Sequence, residues 1–530
     1  MKKATKRTLA IFFAILMTLG VTMAAGAAPQ STMDRITVDG QRFVDQYGRT
    51  RIFHGINMVG KGSTERYMDV LLRDNPDYFA KMQTMGFNVL RLGVTWALLE
   101  PKPGIYNTKL MDKVGLVFDR AAEYGIYVFL DMHQDAWGGE PDWATLPDET
   151  GGNKINDYLN NIVGGLLGWS AAYLFDTDTL AAFEHFWNND QVNGKGLQDY
   201  YADLWKELAR RYGDKPALLG YDFMNEPGMG QISSWITIAK VITVLISLPF
   251  MPVQTIQTLI NLANGDMLHY FDGIDRNVLR LAGYGGLLSQ TIFDRTSYLP
   301  FMDKMTTSVR EATPNGISMM EHSFMSNAGA PFFGRAPQVN GKPEAQAAYT
   351  PHAYDLGVDS PLYNFSKVDR PLFYFENIRR NQQRMNLPVL VGEWGAGYDL
   401  DTNINPNAFD PIDILQDQFD SYGWSNTYWA NWDTALFEDP TMPHLVRPYP
   451  IAINGSDCQY KFDRAANTFT LTYKQGESAD PAQPTVIYLP TGYASLEAKG
   501  LTVTEEMLDD TARLLKLTGE AGTHQVTVKF

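Results

Sequence analysis

Two glutamates each follow a strongly apolar stretch of the sequence directly. Glu226 lies in FMNEP at 223–227, and Glu393 lies in VGEWG at 391–395. Two carboxyl groups about 5–5.5 Å apart can cleave a glycosidic bond by double displacement, because one protonates the leaving oxygen while the other attacks the anomeric carbon. The acid must stay protonated near neutral pH, which burial and the second carboxylate both favour. We therefore take Glu226 and Glu393 as candidate catalytic residues.

Other polar side chains close apolar runs of the same kind. A single polar group at a strand end is usually a cap or a loop ligand, so the argument rests on the set. Its members beside the two glutamates are Arg91, His133, Asp135, Asn225, His352, Tyr354, Trp429 and Trp432.

The runs themselves predict the element that positions these residues. Amphipathic stretches such as 110–123 and 197–211 lie between most of them, with apolar residues at helical spacing. Alternation of strand and helix, repeated eight times, predicts a (β/α)₈ TIM barrel of the α/β class, whose chemistry lies at the carboxyl ends of its strands. The predicted strands lie near 51–58, 87–94, 126–132, 217–224, 316–321, 347–354, 388–394 and 424–432.

Beyond residue 442 the periodicity changes from helical to alternating. Runs at 459–462, 468–473, 485–489 and 525–530 alternate apolar and polar residues and are separated by turn residues. This pattern predicts a C-terminal antiparallel β-sandwich. We place the barrel at 28–442 and the sandwich at 443–530.

The first 27 residues have the composition of a secretory signal peptide. Lysines and an arginine precede an uncharged apolar run over 9–25, and small residues at 25–27 offer a cleavage site before Ala28. An uncleaved membrane anchor is the alternative, since the run approaches the length of a bilayer span. Both interpretations predict an exported protein, secreted or attached to a membrane surface.

Charge and cysteine content exclude several classes of protein. The 60 acidic residues outnumber the 44 basic ones and give a net charge of −16, which argues against a nucleic-acid partner. The single cysteine, Cys458, excludes an intrachain disulfide and a cysteine-based zinc site. The DxDxNxN run at 399–405 lacks the glycine and glutamate of a calcium loop. We expect no metal and no cofactor.

The motifs at the predicted strand ends resemble glycoside hydrolase family 5, a retaining (β/α)₈ family, over residues 34–440. The resemblance implies that Glu226 is the acid/base and Glu393 the nucleophile. It also implies that Asn225 holds the 2-hydroxyl of the sugar, that Tyr354 hydrogen-bonds the nucleophile and that Arg91 keeps Glu393 ionised. His133 and His352 belong to the same set of substrate-site residues, and Trp432 forms a platform for the sugar ring.

Within that family the sequence resembles the endoglycoceramidases, which cut between an oligosaccharide and ceramide. The segments that carry this likeness are 54–61, 131–135, 182–187 and the C-terminal module. The likeness implies that Lys61 and Asp135 bind hydroxyls of the sugar beside the cleaved bond. A tryptophan also lines that subsite, and either Trp169 or Trp187 fits the pattern.

Two apolar insertions favour a lipid substrate. In residues 230–265 Lys240 is the only charged residue, and a second apolar insertion covers 162–175. Insertions after strands lie on the catalytic face of a barrel, so 231–264 could wall an acyl groove or contact a membrane or micelle. The alternative is that both pack internally as ordinary core helices.

The sequence thus predicts a monomeric, retaining endo-glycosidase acting on glycosphingolipids. A family 5 endo-β-glucanase or a steryl or lipid β-glucosidase is the alternative within enzymes. A non-catalytic carbohydrate- or membrane-binding protein is the alternative of another class, and the presence of both glutamates argues against it.

Overall fold

The structure is a computed structural model of the chain. It describes residues 33–60, 66–148, 156, 158–161, 168–247, 253, 256–257, 260, 275–355, 358, 368–395, 400, 402–403, 405–430 and 435–530. The predicted leader and most of 248–274 lie outside these ranges.

The eight predicted strands form one closed parallel barrel. Its strands are His54–Val59, Val89–Val94, Tyr127–Met132, Leu218–Asp222, Ile317–Met320, a sixth strand in two pieces (Ala347–Tyr349 and His352–Ala353), Leu390–Trp394 and Ser425–Tyr428. The first piece of the sixth strand pairs with the fifth strand, and the second piece pairs with the seventh. Because both pieces belong to one continuous segment, the sheet closes on itself. The predicted TIM barrel is confirmed.

Helices cover the outside of the barrel, and the two predicted at 110–123 and 197–211 are both present. The helices of at least seven residues are Tyr78–Thr84, Thr108–Glu123, Thr177–Trp187, Leu197–Tyr212, Ile232–Ser247, Arg276–Gly285, Leu287–Phe293, Leu299–Ala312, Asp369–Met385 and Asp410–Tyr422. Shorter helical turns are Arg66–Asp69, Val70–Asp74, Trp96–Leu99, Asp142–Ala144, Gly168–Ala171, Ala172–Phe175, Asp294–Tyr298, Phe324–Asn327, Ala435–Glu438 and Met442–Leu445.

The interior of the barrel has an apolar floor and a polar mouth. On the second strand Val89 belongs to the apolar cluster of the floor, and Arg91 follows it two residues later on the same face. On the third strand Phe129 and Asp131 repeat this arrangement. Strand pleating therefore places fully buried charges above a sealed floor, at the carboxyl ends where barrels carry their chemistry.

The C-terminal module contains two antiparallel sheets, as expected for a sandwich. One sheet consists of Ser456–Asp463, Thr468–Gln475, Ser495–Glu497 and Gly522–Lys529. The other consists of Tyr449–Ile453, Thr485–Leu489, Thr502–Met507 and Arg513–Thr518, together with the N-terminal strands Thr37–Asp39, Arg42–Val44 and Thr50–Arg51. Local periodicity did not predict that the two ends of the chain share a sheet.

Tyrosines and a buried ion pair join this module to the barrel. The hydroxyl of Tyr449 donates to the carbonyl of Gly86 at 2.6 Å, just after the helix Tyr78–Thr84, and that of Tyr488 donates to the carbonyl of the last helical residue, Thr84, at 2.7 Å. Arg447 reaches both oxygens of Asp420 at 2.7 and 2.8 Å, with both side chains buried. The module is therefore fixed against the outside of the barrel.

Among the residues that the structure describes, no helix combines the length and the apolar character that crossing a membrane requires.

Candidate active site

A fully buried guanidinium occupies the centre of the barrel mouth. Arg91 lies 3.0 Å from Asp131, 3.0 Å from Asp222, 2.9 Å from Glu321 and 2.5 Å from Glu393. Burial opposes the charge of Arg91, but these carboxyl groups raise its pKa well above the ordinary value. The four acids come from four different strands or strand ends, so one cation links most of the barrel mouth.

Asparagine side chains complete the contacts of Arg91. Nη1 donates to Oδ1 of Asn57 at 3.2 Å, and Nη2 donates to Oδ1 of Asn225 at 2.9 Å. One amide hydrogen of Asn225 goes to the carbonyl of Gln134 at 2.8 Å. The Asn225 amide is thereby held in one orientation, next to the glutamate that follows it.

Glu393 is held as an anion by the cations around it. Arg91 donates to its Oε1, and the hydroxyl of Tyr354 donates to its Oε2 at 2.9 Å. Burial alone would raise the pKa of Glu393, but the positive charges of His352 and Arg91 outweigh it and lower that pKa. The pairing of the seventh strand with the eighth shifts before Trp394, so the seventh strand has one extra residue, a β-bulge, at this point. Such bulges change the direction in which a side chain points.

Glu226 is buried in a different electrostatic environment. Its backbone has a φ of +42°, and its N–H donates to Oε2 of Glu321 at 2.7 Å. Its Oε1 accepts from Asn327 at 2.7 Å and lies 3.0 Å from Nδ1 of His352. Burial raises the pKa of Glu226 to about 7 although His352 opposes the rise. This carboxyl group can therefore carry a proton near neutral pH.

His352 lies between the two glutamates. Its Nδ1 is 3.0 Å from Glu226 and 3.6 Å from Glu393, and its Nε2 is 3.1 Å from Glu321. Burial opposes protonation, yet Glu321 and Glu393 raise the pKa of His352 well above its ordinary value, so the ring is an imidazolium. Gly392 makes room for this ring, because a Cβ there would lie 3.1 Å from Nε2.

The separation of the two glutamates decides the type of hydrolysis. One oxygen of Glu226 and one of Glu393 lie within 4.8 Å of each other. Inverting enzymes need about 6.5–9.5 Å between their carboxyl groups to admit a water molecule, whereas retaining enzymes need about 5–5.5 Å. The pair therefore has the spacing of a retaining glycosidase.

His133 and Asp135 form one wall of the site. Nδ1 of His133 lies 2.9 Å from Asp131 and Nε2 lies 3.4 Å from Asp135, while its ring stacks on Trp429 at 5.4 Å between ring centres. Burial opposes the charge, but the two aspartates raise the pKa of His133 to about 9. Asp135 is thus held at the rim by a cation that directly follows the third strand.

The structure brings together eight of the ten residues selected from sequence. These are Arg91, His133, Asp135, Asn225, Glu226, His352, Tyr354 and Glu393. Lys61 and Trp432 lie outside the described residues. The sequence analysis missed Glu321 and Asn327, both of which contact Glu226. Glu321 directly follows the fifth strand, so the strand-end criterion could have found it, whereas nothing in the local sequence marks Asn327.

Two groups of buried side chains in the described residues have the proximity of metal ligands. Asp131, Asp222 and Glu321 form one group, and Glu226, His352 and Glu393 form the other. The guanidinium of Arg91 contacts every member of the first group, and the imidazolium of His352 belongs to the second. Side-chain cations already supply the positive charge that a metal would bring.

Two family models match almost the whole described chain. The model described as cellulase (glycosyl hydrolase family 5) matches residues 44–435, and the glycoside hydrolase family 5 C-terminal domain matches residues 447–529. The chain therefore belongs to glycoside hydrolase family 5. Together with the spacing of the two glutamates, this membership makes it a retaining glycoside hydrolase.

Several characterised proteins are similar to the chain. Endoglycoceramidase I of Rhodococcus hoagii is 26% identical over 533 residues, which cover 95% of this chain and 89% of the relative. An endoglycoceramidase of Cyanea nozakii is 32% identical over 247 residues, so the chain spans about half (47%) of that relative's length. The structure of endo-glycoceramidase II from Rhodococcus sp. in complex with ganglioside GM3 aligns with a TM-score of 0.64 at 22% identity, covering 93% of this chain and 99% of that one.

Replacing Glu226 with Ala separates the acid role from a structural one. A poor leaving group needs protonation and a nitrophenyl group hardly does, so we expect the variant to lose about 100-fold or more in kcat on a poor leaving group and far less on a nitrophenyl glycoside. Wild-type activity should fall as the pH rises through about 7, where Glu226 loses its proton. This decline on the basic side of the pH profile should be absent from the variant. Initial rates against pH on both substrates measure this. Equal losses on both substrates would remove Glu226 from the acid role.

Proposed function

We propose that the protein is an endo-glycosidase that hydrolyses the β-linkage between an oligosaccharide and ceramide in glycosphingolipids. The observation that carries this proposal is an apolar helix, Ile232–Ser247, that begins six residues after Glu226 and exposes its apolar side chains. The full-length similarity to endoglycoceramidase I supports the same substrate class. One molecule would then present a polar pocket for sugars beside a surface for lipid.

The helix is fixed to the catalytic loop at its start. The N–H of Ser233, in its first turn, donates to the carbonyl of Gly230 at 3.0 Å, and Ile236 is fully buried. On the other face Trp235 is 66% exposed and Ile246 is 70% exposed. Internal packing explains the buried face of the helix but not these residues.

Two further helices extend this exposed region. The helix Arg276–Gly285 packs against Ile232–Ser247, and Leu287–Phe293 follows it. Large exposed apolar residues on these three helices form what we call the apolar surface. Its members are Trp235, Val241, Ile242, Leu245, Ile246, Tyr284, Leu287, Leu288 and Ile292. Apolar patches of this kind mark sites for lipids or partners. We propose that the apolar surface contacts the membrane or micelle that holds the ceramide.

The site residues divide the reaction between them. In the first step the carboxylate of Glu393 attacks the anomeric carbon while Glu226 transfers its proton to the ceramide oxygen. In the second step Glu226, now a base, takes a proton from water, which displaces Glu393 from the sugar. We propose that Asn225 binds the 2-hydroxyl of the sugar, because only one of its amide hydrogens has a partner among the described residues.

The surroundings of the two candidate tryptophans support one of them for the sugar subsite. The ring of Trp187 packs on Phe293 and Phe301 at 5.2 and 5.5 Å, which commits it to the core. Trp169 is 45% exposed, with its ring 6.2 Å from that of Tyr173. We therefore propose that Trp169 lines the subsite, together with Lys61 and Asp135, and that Trp432 supplies the sugar platform.

A steryl β-glucosidase is the second candidate. The structure of Cryptococcus neoformans sterylglucosidase 1 shares the fold, with a TM-score of 0.66 at 16% identity. A sterol is also apolar and could use the same surface. We further propose, on the composition of residues 1–27, that the protein acts outside the cytoplasm. That it is a monomer stays a prediction.

A panel of purified substrates tests the proposed function. We expect release of intact oligosaccharide from lactosylceramide and from a ganglioside, and little or no release of sugar from cello-oligosaccharides or steryl glucosides. The Glu393→Gln variant lacks the nucleophile and is the control for contaminating activity. Faster hydrolysis of steryl glucoside would favour the second candidate, and faster hydrolysis of cello-oligosaccharides would contradict a lipid substrate.

Replacing Trp235, Ile242 and Ile246 with serine tests the apolar surface. Because each buried methylene contributes about 0.8 kcal/mol to lipid binding, we expect KM for lactosylceramide in micelles to rise on the order of tenfold or more. Turnover of a soluble aryl lactoside and the melting temperature should stay near wild type.

A matched control for this variant is Leu116→Ser. Leu116 is 55% exposed on the helix Thr108–Glu123, so it tests the loss of exposed apolar area away from the apolar surface. We expect it to change neither the KM for lactosylceramide in micelles nor the KM for the soluble aryl lactoside. If the triple variant stays folded and binds glycolipid like wild type, the surface does not contact the lipid.

A further inference from the structure

Oε1 of Glu226 accepts two hydrogen bonds, whereas Oε2 has no hydrogen-bond partner among the described residues. Nδ2 of Asn327 lies 2.7 Å from Oε1, and Nδ1 of His352 lies 3.0 Å from it. An oxygen that accepts from two donors is a poor place for a proton. The acidic proton of Glu226 therefore belongs on Oε2.

Asn327 is itself held by a buried histidine. Asn327 ends the helix Phe324–Asn327 after the fifth barrel strand, and its Oδ1 lies 2.6 Å from Nε2 of His322. Nδ1 of His322 lies 2.7 Å from the hydroxyl of Tyr349. All three side chains are buried. They form a continuous chain of hydrogen bonds that ends on Glu226.

The charge state of His322 determines that one of its ring nitrogens donates a hydrogen bond and the other accepts one. Burial and the neighbouring imidazolium of His352 lower the pKa of His322 to about 3, so its ring is neutral at working pH. A neutral imidazole has one N–H donor and one acceptor nitrogen. Either Nδ1 or Nε2 carries the hydrogen, and the partners of the ring decide which.

The partner of Nε2 decides the tautomer. Oδ1 of Asn327 can only accept a hydrogen bond, so Nε2 of His322 carries the ring hydrogen and donates to it. Nδ1 is then the acceptor nitrogen, and the hydroxyl of Tyr349 donates to it. The NH₂ group of Asn327 is left to face Glu226.

We propose that Tyr349, His322 and Asn327 are positioning residues that keep the transferable proton of Glu226 on Oε2, facing the leaving group. We call these three hydrogen-bonded side chains the relay, although no proton passes along it. The Oε2–H bond breaks as the leaving oxygen gains its hydrogen, and Asn327 continues to donate to Oε1. This inference deepens the proposed function, since it rests on Glu226 as the acid of the reaction.

The other ionisable groups that interact with Glu226 are not substituted in the variants of this test. His352 from the sixth strand, Glu393 from the seventh, Asp135 after the third and Tyr173 from the helical turn Ala172–Phe175 all interact with the carboxyl group. A change in the titration of Glu226 in a relay variant is therefore due to the lost donor.

The test compares pH profiles of relay variants on two aryl β-glycosides with the same sugar, one with a good leaving group and one with a poor one. In Asn327→Leu the carboxylate loses a donor, so its pKa rises and it becomes a weaker acid. We expect the basic limb of kcat/KM to move up by about one pH unit. We also expect kcat to fall about tenfold on the poor leaving group and less than about twofold on the good one.

His322 supplies the matched pair of variants. The amide of Gln can replace the Nε2–H donor toward Asn327, whereas Leu cannot. His322→Leu should therefore reproduce the defect of Asn327→Leu, and His322→Gln should restore most of the poor-leaving-group rate. An unchanged basic limb in Asn327→Leu, equal losses on both glycosides, or a His322→Gln variant as defective as His322→Leu would overturn the proposal.

Two further measurements keep the test decisive. If the Asn327 and His322 variants fail to fold, Tyr349→Phe removes only a single hydroxyl. It should shift the basic limb of kcat/KM in the same direction by a smaller amount, and no shift would overturn the proposal. Because the assay uses aryl glycosides, a wild-type enzyme that ignores ceramide-linked sugars would contradict the lipid substrate and leave the relay test intact.

Discussion

The site depends on one buried guanidinium. An ion removed from water must be matched by charges and hydrogen bonds or it destabilises the fold. Arg91, on the second strand, meets this requirement with contacts from the first, third, fourth, fifth and seventh strands of the barrel or from residues at their ends. Its planar fork of five donors suits that geometry, and a lysine could not replace it. The partners are Asn57, Asp131, Asp222, Asn225, Glu321 and Glu393.

The same constraint gives two equally buried glutamates opposite roles. Burial alone would raise the pKa of both carboxyl groups. Glu393 is contacted by Arg91 and lies 3.6 Å from the imidazolium of His352, and these charges outweigh burial. Glu226 has one such cation and the negative charge of Glu393 nearby, so burial dominates and it keeps its proton. Glu321 links the parts of the site, because it contacts Arg91, His352 and the backbone N–H of Glu226.

Much of this could be predicted from sequence, because the relevant signals are local. The eight strands were visible as apolar runs, and the position of polar residues at their ends was enough to assemble Arg91, Glu226 and Glu393 at one mouth. Pairings between the two ends of the chain, such as Arg51 with Ala452, leave no trace in local periodicity. Asn327 escaped detection for the same reason, since its role depends on contacts with His322 and Glu226 rather than on a motif.

The most direct test of the account is to identify the nucleophile that forms the glycosyl-enzyme intermediate. A fluorinated aryl lactoside slows both steps by destabilising their oxocarbenium-like transition states, while its good leaving group lets the first step outrun the second, so the intermediate accumulates. Intact-protein mass spectrometry followed by peptide mapping would then locate the sugar. We predict one lactosyl group per chain on the peptide that contains Glu393, and no adduct in Glu393→Gln. An adduct on Glu226, or full turnover with Glu393 unmodified, would contradict the assignment on which the account rests.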